Sequence, residues 1–392
     1  MELPLSDVTV LDLGQVYGGP YCSHLLRHLG ARVIKIEPPH HGEPLRGRGR
    51  TYSDAGPVNF QLLNGGKESV TLDLKAAQDR DTFLQLCDSA DVIVENFAPG
   101  TMDRLGLDYA SVMERNPAIV YASLKAYSVD SPSRDARGMD LTVQASSGIM
   151  SVNGFPDAPP VKCGPSLVDF LGGTHLALGV LAALMERRTT RRGQQVRVSL
   201  QDSVIPTMAS NIAGWLTNPM APLRTGNHHG GMAECPYNSY ATNDGYVAIL
   251  CLTGVQWADL CDVMQRPDLR ADATLVSSQA RSARMVEIDA AVAQWTIRHS
   301  SAELEYILRS VGVPASRVQD LEDLMRDEAG RTEPMVRTGV GTDGLPHYAF
   351  GSPVRLGNHT ARQLLPSPAL AQDNANVLDP LTTTSTATGG TT

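Results

Sequence analysis

Along the first half of the chain two hydrophobic patterns alternate. Short apolar runs, VTVLDLG (8–14), ARVIKIE (31–37), SVTLDL (69–74), DVIVEN (91–96) and AIVYASL (118–124), read as buried strands. Between the first two lies PYCSHLLRHLG (20–30), with helical spacing, a proline at its start and a glycine at its end. Another helical stretch covers Gln78 to Ser89, and a further one precedes residue 118. Strands separated by helices predict βαβ units around a parallel sheet. Ligands of such sheets bind at the carboxyl ends of the strands, which makes residues 14–19 and 96–97 a candidate site.

After about Leu223 the pattern changes. NSYATNDGYVAILCL (238–252) reads as a hairpin turned by Asn243-Asp244-Gly245. Three helical stretches follow, within 255–264, 282–299 and 301–312, and then a short strand around PASRVQ (314–319). This predicts a smaller α+β domain. The 392 residues, 42% hydrophobic, suffice for two domains. The formal net charge of -9 gives no basic face for nucleic acid. No basic segment with an apolar run opens the chain, and no window reaches the roughly 18 unbroken apolar residues of a membrane helix. The six cysteines form no CxxC pair and read as reduced cytoplasmic thiols. The Thr/Gly-rich end, 381–392, is expected to be a disordered tail.

Several motifs invite chemistry. GQVYGGP (14–20) joins a strand to a helix, and Glu37 ends the next strand where a ribose-binding acid would stand. The glycine spacing is not G-x-G-x-x-G, so a different phosphate-bearing ligand near the helix N-terminus fits better than a nicotinamide. His24 and His28 stand four apart, which is metal-ligand spacing, but no HExxH pattern supplies a partner. The pairs His40-His41 and His228-His229 read as polar loop residues. No G-x-S-x-G elbow supports a serine hydrolase.

One carboxylate stands apart. CGPSLVDFLGGTHLALG (163–179) holds a single charged side chain, Asp169, among glycines and apolar residues. Leu176, Val180, Leu181 and Leu184 recur at helical spacing, which predicts a helix beginning near 170–173. Asp169 would then be its N-cap. The glycines Gly164, Gly172 and Gly173 would also let a bulky ligand approach, and the helix N-terminus would keep the acid ionised, as a nucleophile must be. Capping and catalysis are compatible at this point.

The stretches VLDLGQVYGGPYCSHLLRHLGARVIKIEPP, LLNGGKESVTLDLK, ADVIVENFAPGTMDRLGLDY, NPAIVYASLKAY, LTVQASSGIM, the segment from Gly164 to Ser203 and RTGNHHGG…PYNSYATNDGYV resemble the class III CoA-transferases, a group that includes 2-methylacyl-CoA racemases. The match runs to about Gly312 and weakens in the C-terminal segment, where SPALAQDNANVL stands for the family's usual lGeht…vL. The resemblance implies a nucleophilic role for Asp169. It sets Gln15 and Val16 beside the thioester, and Asn96, Phe97 and Arg104 along the CoA channel. Leu72 and Lys75 would lie near the adenine, and Arg137 near the CoA phosphates. Gly230 and Gly231 would form a mobile glycine loop. It implies a Rossmann-like large domain (1–222), a small α+β domain (223–330), a segment returning to the large domain (331–380), and two ring-shaped chains interlocked as a homodimer. No cofactor is implied, because the CoA thioester is itself substrate; a small carboxylic acid would be the other partner.

The racemases of this group resemble one another in an HDI(N/S)Y motif. Here the stretch is RGMDLTVQ, with Met139 in the histidine's place, and a methionine cannot carry a proton. The resemblance therefore implies a transferase, with a racemase or a non-catalytic CoA-binding homologue as alternatives. An aspartyl mixed anhydride and an aspartyl-CoA thioester would form in turn on Asp169. Backbone N–H groups near Gln15 or in the glycine loop would hold the oxyanions.

Overall fold

The computed structural model describes residues 2–49, 56–340, 344–360, 363 and 365–387. The chain divides into two compact units. One comprises residues 1–143, 164–204 and 327–392, the other 144–163 and 205–326. The boundary thus falls after Val204 rather than after 222, and residues 144–163 separate from the stretch that precedes them.

In the first unit β1 (Thr9–Asp12), β2 (Arg32–Glu37), β3 (Glu68–Thr71), β4 (Val92–Glu95), β5 (Val120–Lys125) and β6 (Gln195–Ser199) form one sheet. Every pairing is parallel, in the order β3-β2-β1-β4-β5-β6. This is the doubly wound order, and the direction of winding reverses between β1 and β4. β1, β2, β4 and β5 are buried along most of their length, which is why they read as unbroken apolar runs. The edge strand β6, QVRVS, is part-exposed, alternates and was not expected from sequence. Leu11, Ile34, Val70, Ile93 and Tyr121 pack with Phe83 of the Ala77–Ser89 helix into the core.

Charged groups lie inside this core. Asp12 and Lys35 are fully buried and Lys67 nearly so. Lys67 Nζ donates to Asp12 Oδ2 at 2.8 Å and to Ser23 Oγ at 2.8 Å. Lys35 Nζ donates to the Gly14 carbonyl at 2.8 Å. Burial raises the Asp12 carboxyl, but the two lysines outweigh it and hold it down at about 2. Burial pushes Lys67 down to about 8 against the pull of Asp12.

The C-terminal segment guards the β3 edge. The Ser69 N–H donates to Asp373 Oδ2 at 2.8 Å and the Thr71 N–H to Asn374 Oδ1 at 2.9 Å. Side chains thereby occupy donors that an edge strand would otherwise offer to another chain. β10 (Val336–Val340) and β11 (Pro346–Phe350) pair antiparallel in the same unit. The final helix spans Asn374–Ala387, so the expected disorder from 381 onward does not hold through 387. Residues 388–392 lie outside the described residues.

The Leu167–Thr190 helix is long and apolar enough to cross a membrane, by length and composition alone, its most apolar 18 residues having a mean hydropathy of 1.7. Asp169, Thr174 and His175 interrupt it, so it contains no run of about 18 unbroken apolar residues, as the sequence led one to expect. Packing accounts for the composition: Val168, Leu176, Val180 and Leu184 are buried, and the helix rests on β5, β6 and the Gly18–His28 helix. Leu178 and Met185 on the same helix are exposed.

The second unit holds β7 (Tyr237–Ala241), β8 (Tyr246–Leu250) and β9 (Ala315–Arg317) as an antiparallel sheet in that order. The hairpin closes where the Asn-Asp-Gly signal stands, with the Thr242 N–H donating to the Gly245 carbonyl at 2.9 Å. Trp257, Leu260, Ile288, Val292 and Leu304 from the expected helices fill its core. The fold is thus a parallel α/β unit with a smaller α+β unit.

Candidate active site

The reversal between β1 and β4 opens a crevice at the carboxyl ends of those strands. Two cavities occupy it. The larger, about 710 Å³, is lined by Leu72, Lys75, Phe97, Arg104, Gln15 and Glu43, among others. The smaller, about 300 Å³, is lined by Asp169, Val16, Asn96, Arg137, Gln15 and Phe97, among others. Gln15 and Phe97 belong to both, so the cavities adjoin. Every candidate of the first unit lines one or both. Gly230 and Gly231 belong to the second unit, next to Asn211 and Ser210 of the Ala209–Thr217 helix.

Asp169 is not an N-cap. Its helix begins at Leu167, earlier than the apolar spacing suggested, and Ser166 holds the cap position without a side-chain bond. Asp140 does the capping from outside: its Oδ1 accepts the Val168 N–H at 3.0 Å. Asp169 falls in the first turn, half-buried, and among the described residues no group donates a hydrogen bond to its carboxylate. Burial, and secondly the nearby Asp140, push its pKa up to about 7. Burial and Asp140 thus oppose the helix N-terminus, which was expected to keep this acid ionised.

Glycines bring two helix N-termini together here. A Cβ on Gly18 would lie 3.2 Å from the Asp169 carbonyl oxygen and 2.5 Å from Leu124 Cδ2. A Cβ on Gly173 would lie 2.5 Å from the Gly18 carbonyl oxygen. The Gly18–His28 helix can therefore approach the Asp169 helix only because both positions lack a side chain. Tyr17 stacks on Phe170 with ring centroids 5.8 Å apart, closing the contact.

The loop between β1 and the Gly18–His28 helix is fixed by neighbours. Asn96 bonds Gln15 twice: its Oδ1 accepts the backbone N–H at 2.8 Å and its Nδ2 donates to the carbonyl at 2.9 Å. The Val16 N–H donates to Glu43 Oε2 at 3.1 Å. The expectation that backbone N–H groups near Gln15 face an oxyanion is therefore wrong for Gln15 and Val16. The N–H groups that open the following helix have no intrahelical acceptor, and Tyr17 and Gly18 line the smaller cavity.

Other motifs resolve into structural roles. Both oxygens of Glu37 are occupied: Arg46 donates to them at 2.6 and 2.8 Å, and Ser69 Oγ to Oε1 at 2.8 Å. It is not free for a ribose. His24 is buried, its ring 4.5 Å from that of His28, with Nε2 3.3 Å from the Gly351 carbonyl. Among the described residues no three His, Cys, Asp or Glu side chains are grouped to hold a metal ion. Met139 is exposed and lines the smaller cavity beside Asp169, leaving a thioether where a racemase base would be needed. Sequence reading missed Asp140 and Glu43; a lone acid before an apolar helical run, and a Glu-Pro step opening the Pro44–Gly47 turn, were the signals.

Adjoining cavities at the winding reversal of a doubly wound sheet, one of them lined by a half-buried carboxylate, place the chain in the class of ligand-binding α/β proteins. The chain belongs to CoA-transferase family III, whose model matches residues 5–374, and it is a CoA-transferase. It is 36% identical over 346 residues to an acetyl-CoA:oxalate CoA-transferase of Acetobacter aceti, covering 88% of each chain. It is 34% identical over 390 residues to a succinyl-CoA:mesaconate CoA-transferase of Haloarcula hispanica, covering 96% of each. Its fold matches a CaiB/BaiF family protein of Brucella suis with a TM-score of 0.84, at 28% identity, over 97% of this chain and 100% of that one.

Proposed function

We propose that the protein moves CoA from an acyl-CoA donor to a small carboxylic acid by covalent catalysis on Asp169. The Asp169 carboxylate attacks the thioester carbonyl, the C–S bond breaks, and a mixed anhydride and CoA thiolate result. The thiolate attacks the aspartyl carbonyl, giving aspartyl-CoA and the free donor acid. The acceptor carboxylate then attacks the aspartyl-CoA carbonyl, forming a new mixed anhydride and releasing the thiolate. The thiolate attacks the acceptor's carbonyl in that anhydride, so the new acyl-CoA leaves and Asp169 returns as a carboxylate.

One observation carries this reading: a half-buried carboxylate without donors lines a cavity that adjoins a much larger one. The larger cavity suits the nucleotide end of CoA, with Leu72, Lys75 and Arg104 along it. Asn96 and Phe97 are assigned to the pantetheine arm, and Arg137, which the resemblance set near the CoA phosphates, is assigned to the reacting end because it lines the cavity that holds Asp169. Oxyanions would be met by the open N–H groups of the Gly18–His28 helix, where the dipole also favours negative charge. The relatives named for oxalate and mesaconate support a dicarboxylic acceptor. No cofactor enters this chemistry. Gly230 and Gly231 are read as the glycine loop, and exposed Leu178 and Met185 as part of a homodimer interface. The setting is cytoplasmic, with neither nucleic acid nor membrane as partner.

The test is a panel of acyl-CoA donors against dicarboxylic and monocarboxylic acids, read by mass spectrometry of new thioesters. Without acceptor, the peptide holding Asp169 should gain a covalent CoA adduct that hydroxylamine cleaves. The racemase reading is favoured instead if the α-hydrogen of a 2-methylacyl-CoA exchanges with deuterated water and no acid pair transfers.

A further inference from the structure

The loop between β1 and the Gly18–His28 helix carries a strained residue. Val16 has φ 61, in the left-handed region that a β-branched side chain rarely enters. Such strain persists only where the surroundings over-determine it, and it gathers at functional sites. The flanking residues are fixed from outside: Lys35 holds the Gly14 carbonyl at 2.8 Å, and Asn96 holds both polar groups of Gln15. Glu43 reaches the strained residue itself.

Glu43 is built for this. It is 1% exposed, and its Oε2 accepts from both Val16 and Leu45 at 3.1 Å. Its own N–H donates to Glu37 Oε2 at 3.1 Å. Glu37 is gripped by Arg46 and Ser69. Those two are tied in turn to the C-terminal segment: Arg46 donates to the Pro368 carbonyl at 3.1 Å, and Ser69 Oγ accepts the Ala371 N–H at 3.1 Å. A continuous chain of polar contacts thus runs from the C-terminal segment to Val16.

We propose that Glu43 is a positioning residue which, through the Val16 N–H, holds Gln15 and Val16 in the strained arrangement that faces the Asp169 cavity. The effect on turnover rests on the transfer reading given above; the effect on the loop does not. Glu43 also lines the larger cavity, and its Oε1 has no hydrogen-bond partner among the described residues. A direct contact with ligand is therefore the rival role, and the experiment separates the two.

The full-length protein is compared with Glu43→Ala, Glu43→Gln and Val16→Gly. Misplacing a catalytic loop by about 1 Å costs on the order of 10²-fold. Glu43→Ala should lower kcat by about that factor and change KM for acyl-CoA by less than about threefold. Glu43→Gln keeps an acceptor oxygen and should restore most of the turnover. Val16→Gly should melt at a higher temperature than the wild type, because strain is removed, yet turn over more slowly. Hydrogen exchange of the 14–18 amides should accelerate in Glu43→Ala and stay slow in Glu43→Gln. A raised KM with unchanged kcat in Glu43→Ala would assign Glu43 to ligand binding and overturn the proposal. So would a lower melting temperature for Val16→Gly, or unchanged exchange in Glu43→Ala. If the wild type transfers CoA between no pair of acids, the transfer reading fails; exchange and melting still decide for or against the role of Glu43. If Glu43→Ala does not fold, Val16→Gly and Glu43→Gln carry the same decision.

Discussion

Replacing Asp169 with asparagine should make the protein more stable above neutral pH, and the sign of that change discriminates between two views of the residue. Asp169 sits in the first turn of a long helix, where a negative charge ordinarily stabilises by about 0.3–1 kcal/mol. If the dipole dominated, Asp169→Asn would lose that amount at pH 8. Burial and Asp140 instead raise the carboxyl from 3.8 to about 7. The folded state therefore prefers the protonated acid more than the unfolded chain does. The wild type has its full stability from this group below pH 4, and loses it as pH rises from about 4 to about 7. A shift of this size corresponds to at most ~4 kcal/mol at about 1.4 kcal/mol per unit. The half-exposed site screens part of it, which leaves about 1–2 kcal/mol. Asparagine has no such loss.

The assay is thermal melting of both proteins between pH 4.5 and 8.5. Their difference should be near zero at the acid end, grow in favour of Asp169→Asn up to about pH 7, and stay flat above it. For a unit of this size each kcal/mol moves Tm by about 2–4 °C. A variant that is less stable at pH 8, or a difference independent of pH, would refute the electrostatic reasoning. Under the proposed covalent mechanism the same group sets a kinetic expectation: kcat/KM for acyl-CoA should rise with pH through about 7, as Asp169 ionises in the free enzyme.

Three further outcomes follow from packing and buried charge. Gly173→Ala should destabilise by about 1–3 kcal/mol, because its Cβ would lie 2.5 Å from the Gly18 carbonyl oxygen and the backbone there cannot yield; denaturant melts check it. Asp12→Ala leaves Lys35 and Lys67 buried without their carboxylate and should cost about 3–5 kcal/mol, read as a lower denaturation midpoint. Ala371→Gly should stabilise by about 0.5–1 kcal/mol, since Ala371 has φ 64 and the relief of left-handed strain exceeds the entropy that glycine adds to the unfolded chain; a higher Tm with unchanged activity is the expected result.

Five of the six strands were legible in the sequence because strands buried on both faces require an unbroken apolar run, whereas β6, QVRVS, is part-exposed, alternates polar and apolar residues and was missed. The hairpin was legible because Asn243-Asp244-Gly245 supplies a turn few other residues tolerate. The start of the Asp169 helix was not. Its first turn, Leu167 to Phe170, carries apolar residues at adjacent rather than helically spaced positions and is capped by Asp140 from another segment, so neither a stripe nor a local cap marks the start. Reading the helix from its apolar stripe therefore placed Asp169 at the cap, one role too early. The tail failed for a related reason: a Thr-rich composition says nothing of a helix that Asp373 and Asn374 fasten to β3.

The site itself was readable only as a set of positions. Resemblance brought Gln15, Asn96 and Asp169 together, and the doubly wound order explains why strand ends so far apart in sequence meet. What resemblance does not carry is which groups remain available once the fold has closed. Gln15 and Val16 were natural oxyanion donors on paper, yet their N–H groups are already held by Asn96 and Glu43. The N–H groups without an intrahelical acceptor lie in the first turn of the Gly18–His28 helix, and Val16, whose N–H donates to Glu43, sits at φ 61. A strained loop held by buried side chains leaves no periodic trace, because strain opposes local preference while sequence patterns report preference. The Gln15–Val16 loop is thus a place where local rules fail, and what fixes it there comes from Asn96 and Glu43, 81 and 27 residues away, rather than from its own neighbours.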